Sequence, residues 1–186
     1  MKKILLFFLL FTSTAFAQRS QYTVGTNTIN LGVGLHSTLY ESNYSPSFSF
    51  SYDRGIMELG PGKLGVGAIF QYQTSSFKDF QNATQGLDYN FKSINIGARG
   101  TYHPDILNTN VIDIYGIFMF GYSSNQNSAT PFGSYFGNIP SQIGPKNGLN
   151  VALAAGARLY IKPKIGIFGE FGYDISPIKL GLTAKF

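Results

Sequence analysis

The chain has 186 residues, no Cys, no Trp, 22 Gly, 17 Phe and 12 Tyr, and only 12% of its residues are charged. That charged share is about half the usual value for a soluble domain. It excludes a highly charged disordered chain, and the lack of Cys excludes a disulfide framework, a thiolate metal site, a catalytic thiol and a lipid-modified N-terminus.

At the N-terminus, Lys2 and Lys3 precede an apolar run from Ile4 to Phe11, and Ala15-Phe16-Ala17 gives a small-x-small pattern before Gln18. This reads as a cleaved export signal over residues 1–17, with Ala15, Ala17 and Gln18 at the processing site. The apolar run falls well short of the roughly 18–20 residues that cross a bilayer as a helix. Losing its two lysines takes the formal charge from +5 to +3. A charge of +3 spread along a chain makes no basic patch, so no nucleic-acid partner is expected. Residues 18–27 are then a short N-terminal segment on the periplasmic side.

Beyond it the chain alternates with period two, the signature of strands rather than helices. Segment 28–39 sets Ile29, Leu31, Val33, Leu35 and Leu39 against Asn30, Gly32, Gly34 and His36. In 46–54, Phe48, Phe50 and Tyr52 oppose Ser47, Ser49, Ser51 and Asp53. In 63–74, Leu64, Val66, Ala68, Phe70 and Tyr72 oppose Gly65, Gly67, Gln71 and Gln73; in 91–103, Ile94, Ile96, Ala98 and Tyr102 oppose Asn95, Gly97, Arg99, Thr101 and His103. Segment 111–123 sets Ile112, Ile114, Phe118, Phe120 and Tyr122 against Asp113, Tyr115, Met119 and Ser123. Segment 148–161 opposes Leu149, Val151, Leu153, Ala155, Leu159 and Ile161 to Asn150, Ala154, Gly156, Arg158 and Tyr160. The last two are 164–174 (Ile165, Ile167, Phe171, Tyr173 against Gly166, Glu170, Gly172, Asp174) and 178–186 (Ile178, Leu180, Leu182, Phe186 against Lys179, Gly181, Thr183, Lys185). Eight strands of about 9–11 residues suit a tilted membrane strand.

The polar face is small, Gly-rich and thinly charged, a poor coat for water but a good filling for a narrow lumen. The inverse arrangement would place Arg99, Arg158 and Glu170 in lipid, at about 2–4 kcal/mol for each Arg near the midplane. The fold expected is therefore all-β, an eight-stranded antiparallel up-and-down transmembrane β-barrel over residues 28–186, monomeric, with its apolar side chains toward lipid. The connections alternate in length. Turns 55–63, 104–110 and 162–164 face the periplasm, and loops 40–45, 75–90, 124–147 and 175–177 face outward, in the short-turn, long-loop pattern of bacterial barrels. Loop 124–147, polar and punctuated by Pro131, Pro140 and Pro145, reads as the most mobile segment. Tyr40, Tyr52, Tyr72, Tyr102, Tyr122, Tyr160 and Tyr173, near strand ends, are expected to form interfacial girdles.

The closing stretch Gly166-Ile167-Phe168-Gly169-Glu170-Phe171-Gly172-Tyr173, followed by Leu180-Gly181-Leu182-Thr183-Ala184-Lys185-Phe186, resembles the end of small bacterial outer-membrane β-barrels of the porin-like, OmpA/OmpX type. The resemblance implies an outer-membrane location, with outer-membrane lipids and lipopolysaccharide as surroundings. It also implies that Leu180, Leu182 and Phe186 serve as the C-terminal signal for the barrel-assembly machinery. The peptidoglycan-binding domain of some relatives is not expected, because the sequence stops at Phe186.

Three chemistries compete for the polar residues. Gly60-Pro61-Gly62-Lys63-Leu64-Gly65 spells a dinucleotide fingerprint, but a turn leads there into a strand, not a helix, so a hairpin turn is expected. The inward charges Asp53, Arg99, Asp113, Arg158, Glu170, Asp174 and Lys179 must pair or stay hydrated in a barrel barely wide enough for its own side chains. They are expected to form an ion-pair network that plugs the lumen, with Arg99 and Asp113 near-opposite across the 104–110 hairpin; a narrow channel for small or hydrophobic solutes is the alternative. Some barrels that resemble this one modify lipid A, and His36, Ser37 and Glu170 would be the material for that chemistry. Ser37 points away from His36, however, so no catalytic residues are assigned and an enzyme is not expected. With two His in the chain, neither a metal nor a cofactor is expected. An extracellular partner could be gripped through loops 75–90 (Phe77, Lys78, Asp79, Phe80) and 124–147 (Phe132, Tyr135, Phe136).

Overall fold

Side chains that alternate along a strand give a sheet two faces of different character, and here the sheet closes on itself. The computed structural model describes residues 21–35, 46–82, 85–133, 146–174 and 176–186. These hold strands β1 (Asn27–Gly34), β2 (Ser47–Glu58), β3 (Gly62–Asn82), β4 (Gln85–Pro104), β5 (Ile112–Phe132), β6 (Gly148–Lys162), β7 (Ile165–Tyr173) and β8 (Ile178–Lys185), with one 3-10 turn at Asp105–Leu107. Every strand pairs antiparallel with its sequence neighbours. β1 also pairs with β8, from Thr28↔Lys185 to Gly34↔Lys179, and closes an up-and-down barrel. The eight-stranded antiparallel barrel expected from the sequence is the fold observed. β7, at 9 residues, is a single membrane-strand length.

One end of the barrel, the near end, carries the start of β1, the end of β8 and the short connections 59–61, 105–111 and 163–164. The fingerprint-like glycines fall here, in the β2–β3 turn closed by Leu59 N–H to the Gly62 carbonyl at 2.9 Å, and the chain continues as strand β3. At the opposite, far end lie the connections between β1 and β2, β3 and β4, β5 and β6, and β7 and β8.

The polarity is that of a water-soluble protein turned inside out. Leu31, Phe48, Phe50, Val66, Phe70, Ile96, Phe118, Phe120, Val151, Leu153, Ile167, Phe171, Leu180 and Leu182 are exposed on the outer surface. Thr28, Asn30, Ser51, Asp53, Gln71, Asn95, Arg99, Thr101, Asp113, Arg158, Glu170 and Lys179 are buried inside. The interior also holds apolar groups, with Ile69, Met119 and Ala152 in contact and Tyr115 and Phe168 buried.

Three expectations need correction. Residues 75–90 and 124–147 are not simple loops. β3 runs on to Asn82, β4 begins at Gln85 and β5 runs on to Phe132, so most of the first loop and the first part of the second are sheet. β2 ends its pairing with β3 at Ser47↔Gln73, and β6 begins its pairing with β5 at Gly148↔Ser123. Beyond those rungs β3, β4 and β5 continue as a three-stranded extension. At about 3.3 Å per residue, Thr74–Asn82 carries it about 30 Å past the barrel. Second, Tyr160 is no girdle residue. It shares the parity of Arg158 and is buried inside, with the Lys185 ammonium 4.6 Å from its ring. Tyr52, Tyr72 and Tyr102 do face outward, half-buried, and Tyr122 and Tyr173 are exposed; Tyr40 lies outside the described residues. Third, β2 extends to Glu58, so the first near-end turn shrinks from 55–63 to 59–61.

Candidate functional site

The barrel lumen gathers the charged side chains. Asp113 on β5 and Arg158 on β6 are register partners, and period-two geometry turns both inward. Arg158 donates from Nη1 to Asp113 Oδ2 at 2.8 Å, from Nη2 to Asp53 Oδ2 at 2.9 Å and from Nε to Asn30 Oδ1 at 3.2 Å. Arg99 on β4 donates from Nε to Asp53 Oδ1 at 2.9 Å and from Nη2 to Glu170 Oε1 at 2.6 Å. Asp53 thus bridges two guanidinium groups. Glu170 also receives the Tyr115 hydroxyl at 3.0 Å and the Lys179 ammonium at 3.1 Å, and Lys179 reaches Asp174 Oδ2 at 2.6 Å. Gln71 donates to Asp174 Oδ2 at 2.7 Å and accepts from Asn95 at 2.7 Å.

All seven charged residues singled out in the sequence, Asp53, Arg99, Asp113, Arg158, Glu170, Asp174 and Lys179, lie in this one connected set, their side chains at most 4% exposed. Such burial is tolerable only because each guanidinium and carboxylate is paired and hydrogen-bonded. One pairing differs from expectation. Arg99 does not face Asp113, because the β4–β5 register puts it opposite Met119. His103 takes that place instead, its Nδ1 2.6 Å from Asp113 Oδ1 and its Nε2 3.0 Å from Thr101 Oγ1.

Four aromatic residues that the sequence reading left outside the network complete it. The Tyr115 ring lies beneath Arg158, whose guanidinium carbon is 4.1 Å from the ring centre, a cation–π contact in a desolvated site. His103 stacks near Tyr115 at 5.2 Å. Tyr22, from the segment before β1, is fully buried and stacks on His103 at 3.6 Å with the rings 7° from parallel. Burial and the nearby Asp53 carboxylate push the Tyr22 phenol well above the ordinary tyrosine range, so it stays protonated. Tyr160 is the fourth. Parity alone marked Tyr115, His103 and Tyr160 as inward. Tyr22 carries no periodic signal, and only its place as a large aromatic in an otherwise mostly polar stretch sets it apart.

Thr101, His103 and Asp113 make a hydroxyl–imidazole–carboxylate line, the arrangement that activates a nucleophile. Here Thr101 is 1% exposed and Tyr22 covers the imidazole, so the line has no room for a substrate beside it. His36 and Ser37, the material for a lipid-modifying site, lie outside the described residues, as do Ala15, Ala17, Gln18, Tyr135 and Phe136. Among the described residues no group of acidic and histidine side chains has the geometry to hold a metal. Leu180, Leu182 and Phe186 stand exposed on the outer surface along β8 and just past its end.

No protein-family model and no curated protein matches the chain. Solved structures do. A de novo designed transmembrane β-barrel superposes with a TM-score of 0.50 at 14% identity, covering 91% of this chain and 99% of that one. The chain has the fold of a transmembrane β-barrel. Ail, the attachment invasion locus protein of Yersinia pestis, crystallised with the heparin analogue sucrose octasulfate, gives 0.49 at 17% identity, covering 88% of this chain and 96% of that one. The backbone structure of the same Yersinia pestis protein in a phospholipid bilayer nanodisc gives 0.44 at 18% identity, covering 87% and 99%.

Proposed function

We propose that the chain is an integral outer-membrane protein whose barrel is sealed by its own ion pairs and whose work is done at the surface by the three-stranded extension. The observation that carries this is the paired lumen: Asp53, Arg99, Asp113, Arg158 and Glu170 cross-link opposite walls of the barrel at 2.6–2.9 Å. An eight-stranded barrel has just enough interior for its side chains, and here those side chains are tied together. An ion passing through would have to break several buried pairs. The apolar outer surface supports lipid as the surroundings, because an exposed belt of this size in water drives aggregation. The export signal and the closing β8 pattern support the outer membrane in particular.

The extension supports the surface role. It keeps the pairing of the barrel but largely reverses its polarity, presenting Lys78, Asn90, Lys92, Gln126, Ser128 and Thr130 outward beside an exposed Phe80, a face suited to water and to polar partners. The test is planar-bilayer recording of the refolded barrel. Silence or rare, small openings are expected; large, steady currents would overturn the seal. Release into buffer without detergent would overturn the membrane assignment.

A further inference from the structure

The segment before β1 does not simply lead into the barrel; it crosses the near mouth. Gly25 N–H bonds to the Gly55 carbonyl at 2.8 Å and Gly55 N–H to the Thr26 carbonyl at 2.9 Å, fixing the segment to β2. The Gln21 side chain reaches the Asn110 carbonyl beside β5, and the Lys185 ammonium reaches the Gln21 carbonyl at 3.4 Å from β8. Residues 21–26 are therefore anchored on three sides of the rim, and Tyr22 points down into the lumen.

The wall is shaped around that ring. A Cβ at Gly65 would collide with the hydroxyl groups of Tyr22 and Thr101, and one at Gly55 would collide with the Thr23 carbonyl and crowd the Tyr22 ring at 3.3 Å. Opposite these gaps the ring meets the flat face of His103 at 3.6 Å, and the Arg158 guanidinium stands 6.0 Å from its centre. An imidazole plane, a cation and two side-chain-free positions together form a slot for a 4-hydroxyphenyl ring. We propose that this slot is a binding site for such a ring, held in cis by Tyr22, and that residues 21–26 are a stopper over the charged lumen. The proposal rests on the sealed-lumen reading above, and it deepens it by naming the piece that closes the near mouth.

The test reads access to His103, not conductance. Diethyl pyrocarbonate, which acylates an unprotonated imidazole nitrogen, is added to the full chain folded in detergent micelles, and the adduct on His103 is followed by mass spectrometry. His103 is expected to label slowly in the parent and about ten-fold faster in Tyr22→Ala, as for a group released from a local closure. Tyr22→Phe, which keeps the ring, should stay near the parent rate. Millimolar p-cresol should slow labelling of Tyr22→Ala again, as small aromatics fill an engineered cavity. Equal rates in parent and Tyr22→Ala would overturn the stopper, and an unchanged rate with p-cresol would overturn the slot. Should Tyr22→Ala fail to fold, Tyr22→Leu, which removes the stacked ring but keeps apolar bulk, gives the same reading: faster labelling supports the proposal and an unchanged rate overturns it. A conducting parent with a protected His103 would refute the seal and the closure of the near mouth, leaving only the slot; a silent parent whose Tyr22→Ala labels no faster would keep the seal and overturn the stopper.

Discussion

Within β3, β4 and β5 two regions share one hydrogen-bonded sheet yet present outer faces of opposite polarity. In the barrel, even-numbered residues of β3 and β4 point outward and are apolar: Val66, Phe70 and Ile96 are exposed. In the extension the even-numbered residues still point outward, but they are Ser76, Lys78, Asn90 and Lys92, with exposed Phe80 near the tip the apolar exception. The odd-numbered residues invert in the same way. Gln71, Asn95 and Arg99 fill the lumen, while Leu87 and Phe91 are buried above it, with Phe77 stacked on Tyr89 at 4.8 Å and on Phe91 at 5.8 Å. The backbone does not register the change. The reversal falls at Tyr72 and Lys92, where the ammonium lies 5.8 Å from the ring, as expected where an interfacial aromatic meets water. In the proposed membrane setting, polarity rather than pairing marks where the hydrocarbon ends.

Paired substitutions, one in each region, test this contrast. The largest effect is expected from removing a charge. Arg158→Ala leaves Asp53 to Arg99 alone and Asp113 to His103 alone and should cost about 3–5 kcal/mol, whereas Lys92→Ala in the extension should cost under about 1 kcal/mol. Urea unfolding of the barrel in lipid vesicles measures both, and a small loss for Arg158→Ala would mean a hydrated lumen. Next comes adding a charge to the outer face of β4. Ile96→Arg should lose about 2–4 kcal/mol if that position sits near the bilayer midplane, while Asn90→Arg should stay within about 0.5 kcal/mol. Equal tolerance at the two sites would erase the proposed boundary.

Phe77→Leu keeps apolar bulk but loses the ring stacking, worth about 0.5–1.5 kcal/mol. Limited proteolysis should find the extension more readily cut while the barrel keeps its heat-modifiable migration on gels. The smallest effect is expected from Asp105→Ala, which removes a partly exposed ion pair with Lys63 at the near end. Exposed pairs contribute about 0–1 kcal/mol, and a larger loss in the same unfolding assay would put this rim among the buried contacts.

The strand extension escaped the sequence reading for a physical reason. The apolar positions of β3 pass from even (Phe70, Tyr72) to odd (Phe77), so a search for one constant apolar face stops near Thr74, where the solvent changes but the strand does not. Leu87, Tyr89 and Phe91 show the same inversion on β4. The lumen residues were legible one by one, because parity places Asp53, Arg99, Asp113, Arg158 and Glu170 on the inner face. Their partners were not. Which inward residue meets which across the axis depends on the stagger of strands distant in sequence, and that is why Arg99 reaches Asp53 and Glu170.

By itself, the order of residues determined the strand count, the antiparallel meander and which face of each barrel strand avoids water, since these follow from local alternation and from the cost of a charge in hydrocarbon. Closure of β1 on β8 decided the rest. It set the stagger that lets one carboxylate hold two arginines and gave Tyr22 a mouth to occupy. Those outcomes depend on distances between residues far apart in the chain, which no local pattern encodes.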